Sequence, residues 1–124
     1  MSKALVVDDS RAIRLMLSKI VAESGFEVVQ ATNGKEALTT MAREGASINL
    51  VLVDWNMPEM SGIEFVGQMR SQPAFAQIPI VMVTTKNEIE QIASALEAGA
   101  NEYVMKPFTR EVIQDKLRLV GAMK

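Results

Sequence analysis

Leu50-Val51-Leu52-Val53-Asp54, residues 50–54, is a run of four apolar side chains closed by an acid. A strand with one wet face alternates apolar and polar residues. A run without alternation expects cover on both faces, as in a parallel sheet packed between helices. The same form recurs along the chain. Upstream, Leu5-Val6-Val7 ends at Asp8-Asp9-Ser10, and Phe26-Glu27-Val28-Val29 reads as a second strand. Downstream, Ile80-Val81-Met82-Val83 ends at Thr84-Thr85, and Glu102-Tyr103-Val104-Met105 ends at Lys106-Pro107. Helical spacing fills the intervals. Ile13, Met16, Leu17, Ile20 and Val21 form one face, ending near Gly25. Asn33 to Glu36 and Ser61 to Glu64 have capping-box spacing and open the next two helices. Ile89, Ile92, Ala93 and Leu96 mark a fourth face, stopped by Gly99, and Thr109 caps a fifth helix carrying Val112, Ile113, Leu117 and Val120. Gly67 lies inside the third helix, where glycine costs about 1 kcal/mol relative to alanine, and the sequence offers no reason for it.

Strand and helix therefore alternate five times, which predicts an α/β domain with helices on both faces of a parallel sheet. Right-handed crossovers leave few topologies. The simplest is a single doubly wound five-stranded sheet of order 2-1-3-4-5, a flavodoxin-like three-layer sandwich. The 124 residues suffice for one domain, 1–124, with no output domain expected after it.

Composition removes whole classes of function. The chain has no Cys and no His, so disulfides, thiolate or imidazole metal ligands and Ser–His or Cys–His nucleophiles are excluded. A net charge of −2 gives no basic footprint for nucleic acid and no polybasic membrane patch. The start, MSKALVVDD, lacks the apolar core of a signal peptide, and no apolar run approaches a membrane span. The expected compartment is the cytoplasm.

The remaining chemistry belongs to carboxylates, amines, hydroxyls and backbone. In an open parallel sheet, ligands bind beyond the carboxyl ends of the strands, where strand order reverses. That rule places Asp8, Asp9 and Asp54 on one rim, with Thr84 and Lys106 at the neighbouring strand ends. Two carboxylates about 5 Å apart repel by roughly 3 kcal/mol at an effective dielectric near 20. Lys106 compensates in part. A hard divalent cation compensates better, because every available ligand is oxygen, and Mg²⁺ with phosphate oxygens is the natural match. A carboxylate is then the obvious nucleophile and aspartyl phosphate the covalent product. Each piece alone has an ordinary explanation. Asp8-Asp9 could cap a helix, Asp54 could sit in a turn, Thr84-Thr85 could cap the fourth helix, and Tyr103 could be half-buried packing. These explanations do not account for every candidate falling on one rim.

The segments LVVDDS, VLVDWNMPEMSG, IVMVTT and YVMKPFT, taken in this order and spacing, make the whole chain resemble response-regulator receiver domains, specifically the single-domain receivers of chemotaxis. The resemblance implies that Asp54 accepts a phosphoryl group. It implies that Mg²⁺ is held by Asp9 directly, by Asp8 mainly through water, by Asp54 and by the backbone carbonyl of Asn56. Thr84 and Lys106 would each take a phosphoryl oxygen. Thr84 and Tyr103 would form the switch, with a cis Lys106–Pro107 bond behind the lysine. Asn56 and Lys86 would tune self-dephosphorylation, and Thr85, larger than is usual there, would narrow access. Ile92, Tyr103 and Lys116 would lie on the output face. The implied partners are a histidine kinase, a flagellar motor switch protein and a phosphatase, and the implied state is a monomer. No nucleic acid or membrane partner is expected. Such a chain is a regulator rather than an enzyme, although it assists its own phosphorylation and dephosphorylation.

Alternatives use the same parts. A phosphorelay intermediate would pass the group to another histidine. A haloacid-dehalogenase-like phosphatase also combines an Asp nucleophile, a hydroxyl, a lysine and Mg²⁺. That family, however, places the nucleophile on the first strand and the acidic pair late, the reverse of this order. A flavin module of the same fold would want a hydroxyl-rich phosphate loop where Asp8-Asp9 would repel the ligand.

Overall fold

The structure is a computed structural model that describes residues 2–85 and 89–122. Five parallel strands, β1 (Lys3–Val7), β2 (Glu27–Ala31), β3 (Ile48–Val53), β4 (Ile80–Thr84) and β5 (Glu102–Met105), pair in the order β2-β1-β3-β4-β5. Four helices connect them, α1 (Arg11–Glu23), α2 (Gly34–Glu44), α3 (Gly62–Arg70) and α4 (Ile89–Ala98), and α5 (Arg110–Leu119) follows β5.

The unalternating strands feed two cores. Along β3, Val51 and Val53 pack on one side of the sheet and Leu50 and Leu52 on the other, all fully buried. In β1, Leu5 and Val7 join the first side and Ala4 and Val6 the second. Met41 of α2, Phe65, Val66 and Met69 of α3 and Ala95 of α4 close the first core. Leu17 and Val21 of α1 and Ile113 and Leu117 of α5 close the second. Each fully buried side chain of this kind contributes about 1.5–3 kcal/mol relative to exposure. The central strand therefore anchors the residue that follows it, Asp54, from both faces.

Local signals held at most helix ends. Asn33 accepts from the Glu36 N–H at 2.8 Å, Thr109 caps α5, and Ser61 and Glu64 form a reciprocal capping box. Gly25 and Gly99, with φ of 101° and 123°, turn the chain beyond α1 and α4 in the left-handed region that favours glycine.

Some expectations are corrected. The second strand runs Glu27–Ala31, with Phe26 buried just ahead of it. A short 3₁₀ turn, Pro73–Phe75, lies between α3 and β4. Met16 is 51% exposed and turns away from the core side of α1. On α4 the buried residue is Ala95, while Ile89, Ala93 and Leu96 face outward. A Cβ at Gly67 would meet open space, so nothing in the structure explains that glycine.

Candidate functional site

The strand ladder ends one residue before the acids. Val7 pairs with Val53, and Val53 with Met82. The next N–H groups bind across the sheet, Asp54 to the Val7 carbonyl at 3.0 Å and Asp8 to the Ala31 carbonyl at 3.2 Å. Both carboxylates thus leave the same edge of adjacent strands. The carboxylate oxygens of Asp8, Asp9 and Asp54 come within 4.8 Å of one another, and the three form one cluster.

Their environments differ. Asp8 is fully buried and Asp54 nearly so, whereas Asp9 is exposed. Asp8 does not cap α1. Ser10 does, accepting from the Ile13 N–H at 3.3 Å, and Asp8 Oδ1 accepts from the Ser10 N–H at 2.8 Å. The explanation of Asp8-Asp9 as a helix cap therefore fails.

Lys106 reaches in from the end of β5. Its Nζ lies 2.9 Å from Asp8 Oδ2 and 3.3 Å from Asp54 Oδ2, with only 13% of the side chain exposed. One ammonium thus serves two buried carboxylates, and removing it would leave both unpaired at high cost. Burial pushes the Asp54 carboxyl above the ordinary aspartate range; Lys106 pulls it down, and the Asp8 charge pushes it up again. The Lys106–Pro107 peptide bond is cis.

Thr84 ends β4, fully buried, and its carbonyl accepts from the Lys106 N–H at 2.9 Å. Tyr103 pairs with Met82 and is 7% exposed. Burial raises its phenol pKa, and the charge of Asp54 raises it further. Ile92 packs against the core that contains Tyr103, and Lys116 is paired to Glu102 at 3.1 Å. Asn56 is exposed and borders a hollow of about 430 Å³, which is also lined by Asp9, Trp55, Met57, Pro58 and Ser61. Lys86 lies outside the described residues.

An oxygen-only donor set, two members buried and one facing a hollow, fits a small hard divalent cation that keeps part of its water. The chemistry open to such a rim is phosphoryl transfer to a carboxylate, which requires placement and charge compensation more than bond-making groups.

One supporting residue was not legible in the sequence. Gly62, the first residue of α3, donates its N–H to the Trp55 carbonyl at 2.8 Å, and a Cβ there would collide with the Asp54 carbonyl oxygen. The capping box marks the start of α3. It carries no sign that α3 begins on the peptide of Asp54.

Comparison with known proteins agrees with this geometry. The family model for the response regulator receiver domain matches residues 4–118. Chemotaxis protein CheY1 of Helicobacter pylori is 40% identical over 119 residues, covering 95% of each chain. A chemotaxis protein CheY homolog of Campylobacter jejuni is 38% identical over 116 residues, covering 93% of this chain and 88% of its own. The structure of chemotaxis protein CheY4 of Vibrio cholerae superposes with a TM-score of 0.89 at 38% identity, over 97% of this chain and 98% of that one. The sheet order, the acidic rim and these matches converge: the chain belongs to the response regulator receiver domain family and is CheY-like.

Proposed function

We propose that this receiver takes a phosphoryl group onto a carboxylate oxygen of Asp54 from a phosphohistidine kinase of the CheA type, and signals in chemotaxis. The observation that carries this reading is the single Lys106 ammonium held at 2.9 Å and 3.3 Å from two buried carboxylates of distant sequence, with a third carboxylate beside them. Asp8, Asp9, Asp54 and the Asn56 carbonyl would hold Mg²⁺, which, when bound, neutralises oxygens that would otherwise repel the incoming phosphoryl group.

In the transfer, an Asp54 oxygen bonds to phosphorus, the P–N bond of the phosphohistidine breaks, and the imidazole leaves. Lys106 already sits on an Asp54 oxygen, so it needs little movement to bind a phosphoryl oxygen. The new group carries about −1.5 to −2 charges near neutrality. It draws the Thr84 hydroxyl inward. Because the Thr84 carbonyl is bonded to the Lys106 N–H, that movement is shared with β5 and Tyr103. The output face is the side formed by α4, β5 and α5, with Ile92, Tyr103 and Lys116, and the target is a flagellar motor switch protein. Asn56 and Lys86 set how fast water removes the group, so the chain assists its own phosphorylation and dephosphorylation without turning over an external substrate. A cytoplasmic monomer fits this role; among the described residues no helix is long and apolar enough to cross a membrane.

Incubation with acetyl phosphate and Mg²⁺ tests the reading. Mass spectrometry should find one added phosphoryl group that is stable in acid and released by hydroxylamine, and chelation should prevent its appearance. Attachment to a serine or threonine, or uptake indifferent to chelation, would defeat it.

A further inference from the structure

Every backbone and side-chain polar atom of Asp8 is held. Its N–H donates to Ala31, Oδ1 accepts from Ser10, and Oδ2 accepts from Lys106. The fourth contact belongs to neither the helix cap nor the ion pairs of the rim. The Asp8 carbonyl accepts from Arg14 Nη1 at 3.0 Å. Arg14 lies in the first turn of α1 and is half-buried, and its Nε donates to Gln30 Oε1 at 3.0 Å. Gln30 is exposed on β2, in register with Val6 of β1. One planar guanidinium therefore spans from the edge strand to the peptide that joins Asp8 to Asp9. Its fixed fork suits this task, since two donors leave in set directions.

The Asp8 carbonyl belongs to the same rigid plane as the Asp9 nitrogen. Holding that plane fixes the Asp9 N–Cα bond, the axis about which the Asp9 side chain is placed. Asp9 is the exposed member of the acidic cluster and borders the hollow, so its aim depends most on its backbone. We propose that Arg14, braced by Gln30, is a positioning residue that aims Asp9 toward the cation shared with Asp54. The inference rests on the Mg²⁺ reading above.

Positioning and charge make opposite predictions. A guanidinium near a cation site repels the cation, so charge alone makes its removal tighten binding. Loss of the brace weakens binding. Mg²⁺ titrations by calorimetry on the intact chain, well below the unfolding temperature, separate the two. Arg14→Met should raise the Mg²⁺ dissociation constant about tenfold, the range in which groups that orient metal ligands act. Gln30→Leu changes no charge and alters only an exposed residue, and should raise it by the same route but by a smaller factor than Arg14→Met. Arg14→Lys should restore part of the loss. A role limited to stability would lower the unfolding temperature and leave these constants unchanged. Mg²⁺ binding by Arg14→Met as tight as that of the unmodified chain, or tighter, overturns the proposal. So does an unaffected Gln30→Leu, which decides the matter if Arg14→Met folds poorly. If the unmodified chain itself binds no Mg²⁺, the cation reading fails and this inference falls with it.

Discussion

Asp54→Asn should take up no phosphoryl group from acetyl phosphate, and should at the same time melt higher than the unmodified chain at neutral pH without metal. The first result follows from the loss of the carboxylate oxygens on which the proposed transfer depends. The second follows from the electrostatics of the rim. Burial, and then Asp8, raise the Asp54 carboxyl above its ordinary range despite Lys106. A carboxyl raised in the folded chain holds its proton more tightly there than in the unfolded chain. Its contribution to stability is present below the ordinary aspartate range and is lost as pH rises through the raised folded value. The neutral amide avoids that loss, and Lys106 keeps Asp8 as partner at 2.9 Å. The expected gain at neutrality is about 2–5 °C for a chain of this size. It should shrink to nothing as the pH falls below the ordinary aspartate range. Thermal melts with chelator across that range check the sign. A mutant that is less stable at neutral pH would contradict the account of the rim.

Gly62→Ala should cripple the site from below. The added Cβ would overlap the Asp54 carbonyl oxygen, and it would stand 2.9 Å from the Asp54 carbonyl carbon and 3.0 Å from the Trp55 Cα. These are backbone atoms of the central strand's end and cannot swing aside as a side chain can. Either the first turn of α3 lifts or the Asp54–Trp55 peptide shifts. Overpacking of this kind costs about 1–3 kcal/mol of stability. If Asp54 is the acceptor proposed above, displacing its carboxylate by a fraction of an ångström to about 1 Å lowers the phosphorylation rate by up to roughly 100-fold. Phosphorylation kinetics with acetyl phosphate and denaturant unfolding measure the two effects separately. Gly67→Ala in the same helix is the control, because its Cβ meets open space. A Gly62→Ala protein that phosphorylates at the normal rate would show that the close contact does not hold Asp54.

The rim was legible because it depends on topology. Once Leu50 to Val53 implied a sheet covered on both faces, the strand order put Asp8 and Asp54 at adjacent ends, although they are far apart in sequence. What remained hidden depends on tertiary contact. The face of α4 was misread because Ile89, Ile92, Ala93, Ala95, Leu96 and Ala98 are apolar on most of the helix circumference, so spacing could not choose the buried side. Arg14 looks like any helix arginine until its carbonyl acceptor at Asp8 is seen. Gly62 reads as a helix start, and only packing shows that it lies on the Asp54–Trp55 peptide. The relatives' names support the chemotaxis reading, which no residue of the rim encodes.

On the reading proposed above, Asp8, Asp9 and Asp54 tolerate one another by sharing a hard cation. A Mg²⁺ titration followed by the fluorescence of Trp55, the only tryptophan and a residue lining the hollow, tests it most directly. A saturable change with one site per chain is expected, abolished in Asp9→Asn and reproduced by Mn²⁺. A fluorescence signal indifferent to Mg²⁺, or one that survives unchanged in Asp9→Asn, would contradict it.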